Sequence, residues 1–299
     1  MIVIDYSGVA IAAITGFKED LTREEEHIAN LIRHVVLSSI KSYKKKFSKE
    51  FGSEIVIAVD SAPYWRKSIF PHYKAKRKKA KEESDIPWHL IYKYMDEVIK
   101  DIKESFPWKV IAVPGAEADD VMAVMAMDVA RSKSTDLLDT GDDVEKTIII
   151  SSDKDLKQLM THPNIRVWSP YTQTYAKLEE SPKMFLRRLI LTGDAGDGIP
   201  NCFSPNDAFV SGIRQKPATE KKMLPILEST NMLDAAPDEV TRERIIENTR
   251  LISFTAIPKD IRGSIIAAYE HAPVGNKMSI LKYLVSKDMK RMMDDIDQF

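Results

Sequence analysis

The chain has 299 residues, of which 43% are hydrophobic and 30% charged, and its formal net charge is −1. These values are typical of a globular protein with one elaborated domain or two. The single cysteine excludes an intramolecular disulfide, the six histidines lack zinc-ligand spacing, and no apolar run approaches the roughly 20 residues of a transmembrane helix. Because no signal peptide is visible either, we expect a cytoplasmic protein that does not contact membranes.

Short apolar runs and helical periodicity alternate over about the first 180 residues. We predict strands at residues 2–5, 54–60, 110–113, 147–150, 164–168 and 174–178. We predict helices at 22–45, 87–106 and 182–191, a helix that ends near residue 130, a short helix at 156–160, and a mainly helical region at 217–299. This order implies an α/β fold, in which a parallel central sheet flanked by helices is followed by a helical appendage.

Acidic residues end or follow four of the predicted strands. The carboxyl ends of parallel strands meet at one edge of a sheet, where ligands bind in open α/β folds. Carboxylates that lie together repel each other and need a cation, and Mg²⁺ or Mn²⁺ prefers such oxygen ligands. Singly, each acid could instead be a helix cap or a turn residue. The candidate metal ligands are Asp5, Asp60, Glu117, Asp119, Asp120, Asp153 and Asp155, with Asp194 and Asp197 in a later glycine-rich turn.

The order of acids at residues 117–120 leaves two arrangements open. Glu117 and Asp119 would face nearly opposite ways on one regular helix, so both reach one site only if Glu117 lies on the turn before the helix. Otherwise Glu117 and Asp120, three residues apart, form the pair.

A basic segment follows the second predicted strand. Residues 64–81 carry eight Lys or Arg and no acid, so the rest of the chain sums to about −9. Aromatic residues at 64, 65, 70 and 73 are interleaved with these cations. Aromatic rings stack on unpaired bases while cations neutralise phosphates, so the pattern predicts local contact with a single-stranded nucleic acid.

Taken together, these motifs resemble the flap endonuclease/5′-nuclease family, and in particular its bacteriophage members. The resemblance covers essentially the whole chain. Its carriers are Asp5, Asp60, Tyr64-Trp65-Arg66, Tyr73-Lys74-Ala75-Lys76-Arg77, Glu117-Ala118-Asp119-Asp120, Ser151-Ser152-Asp153-Lys154-Asp155 and Gly193-Asp194-Ala195-Gly196-Asp197. It implies a PIN/5′-nuclease-like α/β domain at residues 1–180 with a helical arch at about 61–86. It also implies a helical DNA-binding subdomain at 181–299 that contains a helix-turn-helix element.

The resemblance also implies a role for each motif residue. Two Mg²⁺ ions, for which Mn²⁺ can substitute, would be held at an inner site and a second site. The inner site would use Asp5, Asp60, Glu117, Asp119 and Asp120, and the second site Asp153, Asp155, Asp194 and Asp197. Lys74 and Arg77 would stabilise charge on the reacting phosphate. The nucleic-acid ligands would be Tyr64, Trp65, Arg66, Lys67, Tyr73, Lys76, Lys78, Lys79, Lys81, Arg214 and Lys216.

The activity implied is that of a 5′→3′ exonuclease and flap endonuclease, with RNase H activity, that acts on RNA primers and on DNA 5′ ends or flaps. Its partners would be branched or 5′-ended DNA, RNA/DNA duplexes, a single-stranded-DNA-binding protein and a sliding clamp. Its biological task would be primer removal in phage lagging-strand synthesis, in the cytoplasm of the host cell. Family members sometimes bind K⁺ at the helix-turn-helix element, but residues 198–219 depart from the family's glycine pattern and leave K⁺ open. Two alternatives remain: a PIN-like ribonuclease that acts on RNA alone, and a non-catalytic binder of branched nucleic acid.

Overall fold

The computed structural model describes residues 1–75, 86–130 and 145–299. Most of the acidic loop predicted at 132–146 and much of the predicted arch lie outside these residues. Five predicted functional residues are therefore outside the described part of the chain, namely Lys76, Arg77, Lys78, Lys79 and Lys81.

The chain forms two compact units whose segments alternate along the sequence. The first unit is formed by residues 1–62, 85–176 and 260–299, and the second by residues 63–84 and 177–259. The division predicted near residue 180, with a DNA-binding subdomain after it, stays a prediction.

A six-stranded sheet forms the centre of the first unit. Its strands are β1 (Ile2–Asp5), β2 (Ile55–Val59), β3 (Lys109–Ala112), β4 (Thr147–Ile150), β5 (Ile165–Ser169) and β6 (Thr174–Tyr175). Their order across the sheet is β3-β2-β1-β4-β5-β6. The first five strands are parallel, and β6 is antiparallel to β5. The predicted α/β fold is confirmed in this respect, although the sheet is mixed rather than wholly parallel.

The strand order determines where a ligand can bind. Residues 148–150 of β4 are fully buried, as expected of a strand that is covered on both faces. In the register of the sheet, Ile4 lies beside Ile150 on one side and Asp5 lies beside Ala58 on the other. The chain therefore continues from β1 to β2 on one side of β1 and later reaches β4 on its other side. Ligands bind at the carboxyl ends of the strands that flank such a switch point.

Helices connect the strands and form most of the second unit. The described helices are α1 (Tyr6–Ile14), α2 (Glu25–Phe51), α3 (Trp65–Ile69), α4 (Trp88–Ser105), α5 (Ala118–Val124), α6 (Pro182–Thr192), α7 (Glu220–Glu228), α8 (Glu239–Ile252), α9 (Lys259–Glu270), α10 (Lys277–Ser286) and α11 (Lys290–Met293). Shorter 3₁₀ or π turns occupy Thr15–Thr22, Met125–Val129, Lys154–Thr161, Phe254–Ala256 and Ile296–Gln298. None of the helices in the described residues combines the length and the apolar character that crossing a bilayer requires.

The connection between β1 and β2 differs from the prediction. Helix α1 was not predicted, because its sequence YSGVAIAAI is apolar almost throughout and shows no alternation of apolar and polar faces. The predicted start of the next helix at Thr22 is also wrong, since α2 begins at Glu25 and continues to Phe51. Gly52 ends α2 in a backbone conformation with φ 79°, which favours glycine.

The core of the first unit joins the sheet to helices from distant parts of the chain. Helix α2 packs against α1 and α4. Its Phe47 meets Trp168 of β5 edge-on, with ring centroids 5.3 Å apart. At the C-terminus, Phe299 packs against Phe106, which follows α4, at 5.4 Å between centroids. Residues 260–299 thus contribute to the same core as the sheet.

The second unit has a core of its own. Buried side chains of α6, α7 and α8 pack together with Phe70 and Tyr73, which follow α3. The beginning of the basic segment is therefore attached to an apolar core, although the segment as a whole is highly charged.

Candidate active site

Asp5 stands where β1 ends and α1 begins, and its carboxylate is held from two sides. Oδ1 accepts a hydrogen bond from the backbone N–H of Gly8 at 2.8 Å, which caps α1. Oδ2 accepts one from the hydroxyl of Ser151 at 2.8 Å. A Cβ atom at position 8 would lie 2.3 Å from Oδ2, so only glycine lets the helix approach the carboxylate so closely.

Asp60, one residue after β2, connects the beginnings of two helices. Its Oδ2 lies 3.3 Å from the hydroxyl of Ser7 in the first turn of α1. Its Oδ1 accepts a hydrogen bond of 3.1 Å from the backbone N–H of Ala118, the first residue of α5. The end of β2, the start of α1 and the start of α5 therefore meet at the carboxyl edge of the sheet.

Asp153 and Asp155 follow β4 at the same edge. The hydroxyl oxygen of Ser151, which bonds Asp5, also accepts the backbone N–H of Asp153 at 3.1 Å. The carboxylate of Asp153 in turn accepts the N–H of Asp155 at 2.8 Å and caps the 3₁₀ turn that follows. Ser151 thus links the ends of β1 and β4, the two strands at the switch point.

The electrostatics of Asp5 reflect this crowding of carboxylates. Burial is the main reason that the pKa of Asp5 rises to about 6. The hydrogen bonds from Gly8 and Ser151 lower the pKa, whereas the negative charges of Asp60 and Asp153 raise it further. Asp60 and Asp153 therefore lie close enough for their charges to disfavour ionisation of Asp5, and a cation between the three would offset that repulsion.

Glu117 lies before the helix that contains Asp119 and Asp120, which is the condition for the first of the two arrangements left open by the sequence. Glu117 is the N-cap of α5, with φ −92° and ψ 160°, and so precedes the helix. Its backbone N–H donates to Oδ2 of Asp120 at 3.0 Å, while its own side chain accepts the N–H of Asp120. Both side chains are buried, at 1% and 0% exposure. Asp119 is half-buried in the first turn of α5.

The arrangement of these acids determines how they could hold metal. In the described part of the chain, no three acidic, histidine or cysteine side chains converge on one metal position as placed. The carboxylates of Asp5 and Asp60 are instead bonded to backbone N–H and serine hydroxyl groups. The donors at this edge are nevertheless carboxylate oxygens that repel each other, and this chemistry fits a hard divalent cation.

The second unit contains the other predicted acid pair in one tight turn. Oδ1 of Asp194 accepts the backbone N–H groups of Gly196 and Asp197, at 2.7 and 3.1 Å. Gly193 has φ 67°, and a Cβ there would lie 2.4 Å from the carbonyl oxygens of Ile199 and Pro200. The geometry of the turn itself therefore sets the positions of Asp194 and Asp197.

The carboxylate of Asp197 is bonded by the beginning of the basic segment. The hydroxyl of Tyr73 donates to its Oδ2 at 2.8 Å, and Nζ of Lys74 lies 3.7 Å from its Oδ1. The backbone N–H of Lys74 also donates to the carbonyl of Asp197 at 2.8 Å. Lys74 has φ 57°, an unusual conformation for a residue other than glycine.

The remaining predicted nucleic-acid ligands differ in exposure. Tyr64 and Trp65 are half-buried and Lys67 is exposed. Arg66 is only 3% exposed, and its Nε donates to the carbonyl of Leu251 at 2.8 Å. This contact ties α3 to the end of α8 and gives Arg66 a structural role in the second unit.

Arg214 and Lys216 are exposed on the loop before α7. A buried asparagine holds this loop, because the N–H of Asn201 donates to Gln215 and its side-chain amide donates to the carbonyl of Lys216, both at 2.8 Å.

Sequence reasoning missed Gly8 and Ser151 as residues that build the site. Ser151 could have been found from the sequence, because it directly follows the apolar run of β4. Gly8 could not, since its contact with Asp5 depends on the unpredicted helix α1.

Comparison with known proteins identifies the family of this chain. The N-terminal resolvase-like domain of the 5′–3′ exonucleases matches residues 1–186, and the C-terminal domain of T4 RNase H matches residues 180–299. The chain therefore belongs to the 5′–3′ exonuclease family of 5′ nucleases, which confirms the resemblance found in the sequence.

Among individual relatives, ribonuclease H of Enterobacteria phage T4 is 28% identical over 99% of this chain and 94% of its own length. Flap endonuclease Xni of Shewanella pealeana is 32% identical, over 52% of each chain. A flap endonuclease of bacteriophage T5, solved with DNA and metal ions, has a TM-score of 0.65 at 16% identity and covers 90% of this chain and 99% of its own. At that identity the last comparison supports the fold alone.

Proposed function

We propose that the protein is a divalent-metal-dependent 5′→3′ exonuclease and flap endonuclease that hydrolyses phosphodiesters of RNA primers and of DNA 5′ ends or flaps. The observation that carries the proposal is the meeting of Asp5, Asp60 and Asp153 at the carboxyl edge of the sheet, where Ser151 bonds both the carboxylate of Asp5 and the backbone of Asp153. Membership of the 5′ nucleases makes phosphodiester hydrolysis the chemistry that such a site serves.

The proposed cofactor is Mg²⁺, as two ions, with Mn²⁺ as a substitute. When bound, such ions activate a water molecule and stabilise the leaving oxygen of a phosphodiester. By the family resemblance, one ion is held by Asp5, Asp60, Glu117, Asp119 and Asp120, and the other by Asp153, Asp155, Asp194 and Asp197. A T5 5′-exonuclease solved with bound zinc supports a divalent cation as the cofactor.

The residues around the carboxylates orient them. Gly8 and Ser151 hold the two oxygens of Asp5, and Ala118 fixes one oxygen of Asp60. Glu117 and Asp120 bond each other at the start of α5, so their proposed role as ligands requires that this pair open towards the ion. Asp119 does not take part in that reciprocal cap.

The proposed contacts with substrate come from the basic segment and the helical region. Lys74 and Arg77 stabilise negative charge on the reacting phosphate, and a helical arch at about 61–86 guides the single-stranded 5′ end. A helix-turn-helix element near residues 193–219 holds the duplex backbone. Potassium at this element stays open, because residues 198–219 depart from the family's glycine pattern.

The proposed biological task is primer removal in phage lagging-strand synthesis in the host cytoplasm. The similarity to ribonuclease H of phage T4 over nearly the whole chain supports it. A single-stranded-DNA-binding protein and a sliding clamp are the proposed protein partners.

One assay tests the function. A 5′-labelled flap DNA, an RNA/DNA duplex and a single-stranded RNA are each incubated with and without Mg²⁺, and the products are sized. We expect Mg²⁺-dependent short products from the RNA/DNA duplex and cleavage near the base of the flap. Cleavage of single-stranded RNA alone would favour the PIN-like ribonuclease, and tight binding without cleavage would favour the non-catalytic binder.

A further inference from the structure

Tyr73 is placed where it cannot serve as a stacking platform. Its ring is 3% exposed and belongs to the core of the second unit. Base stacking needs an accessible ring face, so the burial of Tyr73 calls for a different role. Its hydroxyl reaches out of that core and donates to Oδ2 of Asp197 at 2.8 Å.

The same hydrogen bond belongs to a larger clamp between residues 72–74 and 197–198. The N–H of Lys74 donates to the carbonyl of Asp197 at 2.8 Å, and its ammonium lies 3.7 Å from Oδ1. Gly198 has φ 75°, and a Cβ there would lie 3.1 Å from the carbonyl of His72. The backbones are therefore packed closely, while the Tyr73 hydroxyl sets the orientation of the Asp197 carboxylate.

We propose that Tyr73 is a positioning residue that holds Asp197 in the orientation needed to ligate a divalent cation. This inference rests on the proposed function, in which Asp197 is a metal ligand. A hydroxyl that donates to a ligating carboxylate fixes the direction of its lone pairs, and loss of such an outer partner typically weakens metal binding by about 10–100-fold. Tyr73 acts through Asp197 and touches neither the cation nor the substrate.

The test uses Tyr73→Phe, which removes only the hydroxyl, and a matched control. The control is Tyr269→Phe in the first unit, because Tyr269 is also buried and its hydroxyl also donates to a carboxylate, that of Glu54, at 2.6 Å. Glu54 lies just before β2, at the amino edge of the sheet and opposite the acid cluster. A cooperative thermal unfolding transition of each variant shows that it is folded.

The first measurement is Mn²⁺ binding by the full chain without substrate, followed by electron paramagnetic resonance of unbound Mn²⁺. We expect Tyr73→Phe to weaken the binding of one of the two Mn²⁺ ions about tenfold, Asp197→Asn to weaken the same ion at least as much, and Tyr269→Phe to leave both within twofold of the parent. If Tyr73→Phe stays within twofold of the parent, or Asp197→Asn leaves Mn²⁺ binding unchanged, the inference is overturned.

The second measurement is cleavage of a 5′ flap as a function of Mg²⁺ concentration. A displaced ligand is compensated by excess metal, so for Tyr73→Phe the half-saturating Mg²⁺ concentration should rise about tenfold while kcat at saturating Mg²⁺ stays within threefold. A loss of kcat that excess Mg²⁺ does not restore would overturn the positioning role. A parent protein that cleaves no substrate would contradict the proposed function, whereas the Mn²⁺ titration tests Tyr73 independently of turnover.

Discussion

The acids at the carboxyl edge of the sheet and the acids of the Asp194–Asp197 turn are held in place by different kinds of interaction. At the sheet edge, Asp5, Asp60 and Asp153 come from strands far apart in sequence, and burial together with their mutual repulsion raises the pKa of Asp5. In the turn, backbone N–H groups only two and three residues away hold Asp194. Asp197 is bonded by a cation and a hydroxyl.

The difference indicates what each group needs from the fold. The sheet-edge acids depend on strand order and on close packing at Gly8, so small backbone changes there should be costly. The acids of the turn depend on local geometry and on the clamp with residues 72–74. The two groups should therefore respond differently to the substitutions below.

The largest expected effect comes from the sheet edge. Asp153→Asn keeps a capping oxygen for the N–H of Asp155 but removes the charge that a cation needs. We expect cleavage to fall on the order of 1,000-fold, with an unchanged melting temperature, measured as Mg²⁺-dependent turnover of a 5′-flap DNA. Asp238→Asn is the control, because Asp238 caps α8 through Thr241. Turnover of Asp153→Asn within threefold of the parent would remove Asp153 from the site.

Gly8→Ala tests whether packing at the sheet edge positions Asp5. The new Cβ would lie 2.3 Å from Oδ2, so the carboxylate must move. A displacement of about 1 Å in an active site can cost roughly 100-fold in rate, which is the loss we expect in kcat. Gly263→Ala in α9 is the control, since a Cβ there meets nothing within 4 Å. It should keep full activity and gain about 0.5–1 kcal/mol of unfolding free energy. Equal activity of the two variants would refute the packing argument.

Lys74→Ala tests the clamp in the second unit. The ammonium of Lys74 lies 3.7 Å from Asp197 and is the described cation proposed to act on the phosphate. Removal of such a charge should lower turnover of a flap substrate about 10–100-fold and leave the affinity for a plain duplex within threefold. Lys282→Ala, an exposed lysine of α10, is the control. Normal cutting with weakened binding would mean that Lys74 only attracts the substrate.

The smallest expected effect is a change of stability with pH. Because the pKa of Asp5 is raised to about 6, the folded protein binds this proton more tightly than the unfolded chain does. The unfolding free energy of the metal-free protein therefore falls as the pH rises through the window from about 4 to about 6. Asp5→Asn removes this loss. With a chelator present, the unfolding free energy of the variant should exceed that of the parent by about 1–2 kcal/mol at pH 8, and the two values should be nearly equal at pH 4.5.

Thermal unfolding at both pH values measures the difference. Asp238→Asn should show the opposite sign, because hydrogen bonds from Thr241 lower the pKa of Asp238 and its charge therefore stabilises the fold at pH 8. A stability gain of Asp5→Asn that is the same at both pH values would show that titration of Asp5 is not its cause.

Local patterns were sufficient to predict much of this protein. The apolar run at 148–150 with acids after it marked a buried parallel strand, and the strand ends supplied the candidate ligands. The joint motifs identified the family, which the domain matches confirm. Helix α1 was missed because an almost uniformly apolar segment carries no helical periodicity.

Only the tertiary structure decided which of these local features meet. The strand order β3-β2-β1-β4-β5-β6 puts Asp5 beside Ser151, and no pattern within either strand specifies that neighbour. The burial of Tyr73 and the return of residues 260–299 to the core of the sheet also depend on contacts between distant segments. A sequence determines its elements through interactions between near neighbours, whereas the packing free energy of the whole chain determines which elements lie side by side.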